Sequence, residues 1–125
     1  MTQKQTELLL KDLCGRLPYK VYAQIPDEYG GYTSAIESID IDGFVKDFEG
    51  AQIEIENIKP YLLPLSSMTE EQRKEYVHLL VYTSNVDIIQ ITGESTYDWL
   101  NRNMFDWRGL IPMGLANDAT GKNIY

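Results

Sequence analysis

The sequence predicts an α+β domain: a short antiparallel β-meander flanked by an N-terminal helix and by helices in the C-terminal half. Three observations carry that reading. Apolar Leu10, Leu13, Cys14 and Leu17 recur at helical spacing, the period drops to two from Tyr19 onward, and helical spacing returns after Thr69. With 125 residues, of which 43% are apolar and 24% charged, the chain can build one hydrophobic core, so a single domain over 1–125 is expected.

Taken in order, Thr2 and Gln5 form a capping box that opens a helix over 3–16. Gly15 weakens its end and Pro18 stops it, because proline disfavours helical backbone at Leu17 and brings no amide hydrogen. Tyr19, Val21, Ala23 and Ile25 then alternate with Lys20, Tyr22 and Gln24, the pattern of a half-buried strand that Pro26 ends. After the loop 26–32, Ile36–Ile41 runs into Asp42-Gly43, a tight-hairpin pair that tolerates positive φ, and Phe44-Val45 follows. Glu49-Gly50 turns the chain again into Ala51, Ile53 and Ile55, which alternate with Gln52, Glu54 and Glu56. Residues 19–57 thus read as four short antiparallel strands, and a meander of this length can curl into a small SH3-like barrel.

The run Ile58–Leu65 holds Pro60 and Pro64 and is too apolar for a free linker, so it is expected to pack along the sheet or barrel edge. Thr69 with Gln72 is a second capping box, and Tyr76, Leu79, Leu80 and Thr83 extend a helix over about 70–82. Residues 85–92 read as a strand, Ser95 or Thr96 caps a short helix through Trp99 and Leu100, and the remainder turns at Gly109, Pro112, Gly114 and Gly121.

Charge is distributed unevenly. Eleven Lys and Arg against nineteen Asp and Glu give a net charge of −8. All of that excess lies between Asp27 and Glu56, where nine acids accompany Lys46 as the one base. Phosphates and anionic lipid heads repel such a segment, which argues against direct nucleic-acid binding and against a membrane surface. The start of the chain has no apolar run of signal-peptide length and no stretch reaches ~20 apolar residues, so a cytoplasmic protein is expected. One cysteine cannot form an intramolecular disulfide, which fits a reducing compartment.

Chemistry-bearing patterns are sparse. Asp40-Ile41-Asp42-Gly43 looks like the start of a calcium loop, but Phe44 and Val45 interrupt the oxygen ligands and Ala51 stands where the bidentate glutamate belongs. One His and one Cys cannot make a zinc set, and Cys14 falls in the predicted apolar stripe, where a small packing residue is expected rather than a thiol dyad with His78. Phosphate-cradling and nucleophile-elbow motifs are absent. No catalytic, cofactor or metal-binding residue is therefore assigned. Tyrosines on loops give contact area at low entropic cost, which marks Tyr29 and Tyr32 as partner-binding candidates beside the acids Asp40, Asp42, Glu54 and Glu56. Trp99, Phe105 and Trp107, with Arg102 and Arg108 nearby, read as a C-terminal mini-core rather than a stacked cation–aromatic surface.

Three stretches, Glu7–Tyr19 (ELLLKDLCGRLPY), Ile58–Glu71 (IKPYLLPLSSMTEE) and Asp98–Asn101 with Phe105–Ile111 (DWLN, FDWRGLI), resemble short uncharacterised proteins of gut commensal bacteria, their phages and other mobile elements. They cover about a third of the chain and exclude its acidic middle. The resemblance implies a cytoplasmic protein of phage or mobile-element origin and transfers no site residue. The expectation is a non-enzymatic acidic module that binds a basic or amphipathic protein, in its sharpest form a mimic of DNA that inhibits a host enzyme. The alternatives are a small enzyme using a carboxylate or Cys14, and a structural subunit of a phage or mobile-element assembly.

Overall fold

A computed structural model describes residues 1–40, 42–82 and 95–125. Helix α1 (Gln3–Arg16) starts as its capping box dictates: the Thr2 side chain accepts from Gln5 N–H, and the Gln5 side chain accepts from Thr2 N–H. A 3₁₀ turn over Leu17–Tyr19 takes the chain past Pro18. Four strands follow, β1 (Tyr22–Gln24), β2 (Thr33–Ile39), β3 (Phe44–Asp47) and β4 (Gln52–Glu54), each antiparallel to the next. This is the expected meander. Strand β1 is shorter than the alternation suggests, because residues 17–19 are spent on the 3₁₀ turn, yet Val21, Ala23 and Ile25 are all fully buried.

The proline-containing segment is not an edge cover. It forms β5 (Lys59–Leu62), which pairs antiparallel with β1 on one side and parallel with β6 (Asn117–Asp118) on the other. Pro60 carries no amide hydrogen, and the pairing with β6 begins at Tyr61, one residue past it. The strand order is β4-β3-β2-β1-β5-β6. Among the described residues β4 and β6 do not pair, so the sheet stays open rather than closing into an SH3-like barrel. The seam between β1 and β5 is completed by a side chain: the Tyr125 hydroxyl accepts from Tyr22 N–H at 2.9 Å and donates to Tyr61 C=O at 2.7 Å.

Helix α2 (Glu70–Tyr82) carries the Thr69/Gln72 capping box, and helix α3 (Thr96–Arg102) starts at Ser95 with Asp98 closing a third. The strand expected at 85–92 lies outside the described residues. No helix among the described residues is long and apolar enough to cross a membrane.

The main core joins Leu9 and Leu13 of α1 to Val21, Ile36, Val45, Ile53, Ile58 and Leu62 of the sheet region. Here the buried stripe of α1 departs from the sequence reading. Leu9, Asp12, Leu13 and Arg16 face inward and Cys14 is exposed, a rotation of about one residue from the Leu10/Leu13/Cys14/Leu17 register. The cause is a buried ion pair. Arg16 Nε donates to Asp12 Oδ2 at 2.8 Å, Nη2 donates to Oδ1 at 3.1 Å and to the Phe105 carbonyl at 2.7 Å, and both side chains are fully buried. With its charges matched there, the helix can turn Asp12 and Arg16 inward and Cys14 outward.

A second core sets Met68, Trp99, Leu100 and Phe105 against half-buried Tyr76, Leu79 and Trp107. Trp99 stacks between Tyr76 and Phe105, with ring centroids 5.9 and 5.7 Å away. Helices α1 and α3 meet closely: a Cβ on Gly15 would lie 3.0 Å from Asn101 Nδ2. The C-terminal aromatics are therefore largely core, while Trp107 is half-buried with the Arg108 guanidinium 4.0 Å above its ring.

Candidate functional site

The β2–β3 hairpin is built by Asp40 and Gly43. One Asp40 carboxylate oxygen accepts from Asp42 N–H at 2.9 Å and Phe44 N–H at 3.0 Å, and Gly43 supplies φ +84°, which a side chain would resist. Beyond the turn, strand alternation sends Val45 and Asp47 inward and Phe44 and Lys46 outward. Strand β4 continues the outward face, since Phe44 lies opposite Glu54 and Lys46 opposite Gln52. The bond from Ile55 N–H to Gly43 C=O, 3.1 Å, then holds the segment carrying Glu56 beside the hairpin.

Asp40, Asp42, Glu54 and Glu56 are all exposed; Glu54 stands opposite the 38% exposed Phe44, Asp40 and Asp42 lie in the adjoining hairpin turn, and Glu56 lines a cavity with Pro26 and Asp27. Chain neighbours Asp40 and Asp42 were adjacent by sequence; Glu54 comes opposite Phe44 only through the β3–β4 register. The sequence reading missed Phe44 as a surface residue. Its signal was the alternation itself, because the residue before buried Val45 must point the other way.

Tyr29 and Tyr32 belong to the 26–32 loop, whose Pro26 and Asp27 share that cavity with Glu56. Tyr29 is 42% exposed, whereas the Tyr32 hydroxyl donates to Asp47 Oδ2 at 2.5 Å. Asp47 is fully buried, alone among the nine acids of 27–56, and its second oxygen accepts from Ala51 N–H at 2.9 Å. This hydrogen bond, followed by burial and the negative charges of Asp47 and Glu49, pushes the Tyr32 phenol up to about 12. It also ties the 26–32 loop to the β3–β4 turn, where Phe48 stands 60% exposed next to Glu49.

The one thiol and the one imidazole stand on different helices. Cys14 lies on the exposed face of α1 and His78 on the exposed side of α2. Among the described residues no three His, Cys, Asp or Glu side chains come close enough to hold a metal ion. A cavity of about 390 Å³ beside the acidic segment is lined by Gln24, Pro26, Asp27, Glu56, Asn57 and Lys59, which sets one ammonium against two carboxylates and contains no nucleophile paired to a base. What the arrangement can do is present an acidic surface interrupted by aromatic rings. No family model matches the chain, and no curated protein or solved structure matches it significantly.

Proposed function

We propose that the chain is a non-enzymatic protein–protein interaction module, acting in the cytoplasm and of phage or mobile-element origin, whose acidic sheet end binds a basic, amphipathic partner protein. The observation that supports this reading is exposed Phe44 with Glu54 opposite it and Asp40 and Asp42 in the adjoining turn, Glu56 following in the next segment. Carboxylates alone solubilise a surface; carboxylates beside an aromatic side chain offer charge for steering and an apolar anchor for residence. A partner carrying Lys or Arg beside apolar side chains matches both.

The test is affinity capture from lysate of the native host, washed at low and then high salt, with wild-type and D40N/D42N/E54Q/E56Q baits. The Asn at position 40 keeps an acceptor oxygen for the hairpin amides. The expected result is a basic protein held at low salt by the wild type, released by salt and held poorly by the neutralised variant. Equal retention by both baits refutes the reading.

A further inference from the structure

We infer that the partner engages this surface by adding an extended segment, alternately basic and apolar, as a new strand along β4; the inference rests on the interaction reading above. Among the described residues strand β4 is terminal in the sheet and pairs only with β3. The hydrogen bonds around it show which main-chain groups are left over. Ile55 N–H donates to Gly43 C=O and Asp47 N–H donates to Ala51 C=O, with Val45 opposite Ile53 between them. In an antiparallel ladder this phase directs residues 51, 53 and 55 toward β3 and turns the amide and carbonyl of Gln52 and Glu54 to the open side.

Both residues are exposed, and among the described residues nothing pairs with that side. An open edge of this kind is a template for main-chain hydrogen bonding. The stretch ends on the other side where the chain turns at Gly50, whose N–H donates to Asp47 C=O. The free stretch is therefore short and has a definite register.

Charge selects the occupant. A second copy of this chain would bring another excess of eight negative charges against the first and lay Gln52 and Glu54 beside their own kind. A segment with Lys or Arg at alternate positions instead places cations on the outward face beside Glu54, next to the Phe44 ring opposite it. Its intervening residues fall on the side of Ile53 and Ile55, which is apolar and buried.

The experiment titrates the isotope-labelled chain with a peptide of about eight residues alternating Lys and Val, and with a block isomer of the same composition. Amide exchange at Gln52 and Glu54 is followed by NMR, at low salt and at roughly 0.5 M sodium chloride. The expected result is exchange at these two amides slowed about ten-fold by the alternating peptide and less by the isomer, reversed by salt. Gln52→Pro removes one outward amide and keeps every charge, so it should weaken binding about five-fold or more, against Gln52→Ala as the control that retains the amide. Salt-sensitive binding with Gln52 and Glu54 exchange unchanged overturns strand addition and leaves the interaction reading standing. No salt-sensitive binding of either peptide overturns both.

Discussion

Replacing Arg16 with Met is the most informative single perturbation of the fold. The guanidinium makes two bonds to Asp12 and one to the Phe105 carbonyl, all in a fully buried setting. After Arg16→Met the Asp12 carboxylate keeps, among the described residues, Arg108, whose Nε lies 3.3 Å from Oδ1 without hydrogen-bond alignment, and the Phe105 carbonyl loses this donor. Stranding one partner of a buried ion pair costs about 3–5 kcal/mol. Set against the ~5–15 kcal/mol total stability of a domain, that is a large share, equivalent to a fall in Tm of roughly 10–20 °C at this chain length. The double variant Asp12→Leu/Arg16→Met removes both charges and should lose only about 1–3 kcal/mol, chiefly through Phe105 and Arg108. Urea unfolding followed by tryptophan fluorescence measures both. A single-variant loss below about 1 kcal/mol, or a double variant worse than the single, refutes the account of a pair held by mutual need.

Two further outcomes follow from the side-chain hydrogen bonds. The Tyr32 phenol is raised by Asp47 to about 12, above its unfolded value of ~10, so its stabilising contribution is complete below pH ~10 and fades as pH climbs toward 12. Alkaline titration by phenolate absorbance should therefore show a late-ionising group that Tyr32→Phe abolishes, and an unchanged titration curve counts against the bond. Burial also raises the Tyr125 phenol, and Tyr125→Phe should both remove that second late group and cost about 1 kcal/mol, with faster amide exchange at Tyr22. Unaltered exchange at Tyr22 would mean that the hydroxyl does not complete the β1–β5 seam.

The elements legible in the sequence are those whose determinants are neighbours. The capping boxes at Thr2 and Thr69 join residues three apart, a cap at Ser95 opens α3, and Gly43 supplies the positive φ of the β2–β3 hairpin. The acidic candidates were legible as residue types, but the placing of Glu54 opposite Phe44 depends on the β3–β4 register. What was hidden is what distant chain supplies. An acid and a base four apart on a helix ordinarily read as a surface pair; Asp12 and Arg16 are inside because Phe105, 89 residues from Arg16, provides a carbonyl. The same holds for β5, whose place in the sheet is made by β1 and by Asn117–Asp118. Asp47 escaped for a related reason, since its partner hydroxyl comes from the preceding loop.

The pleat of β3 and β4 divides the constraints on this chain into two nearly independent sets. Val45 and Ile53 are fully buried, while Phe44, Lys46, Gln52 and Glu54 between them face water. Point substitution at the outward four changes the exposed face without touching the core, so surface character can drift while the architecture stays put. Insertion of a single residue in β3 does the reverse, exchanging the two sets and driving Lys46 toward the interior in place of Val45. Over a lineage, then, this hairpin should accumulate substitutions freely at alternate positions and tolerate changes of length hardly at all.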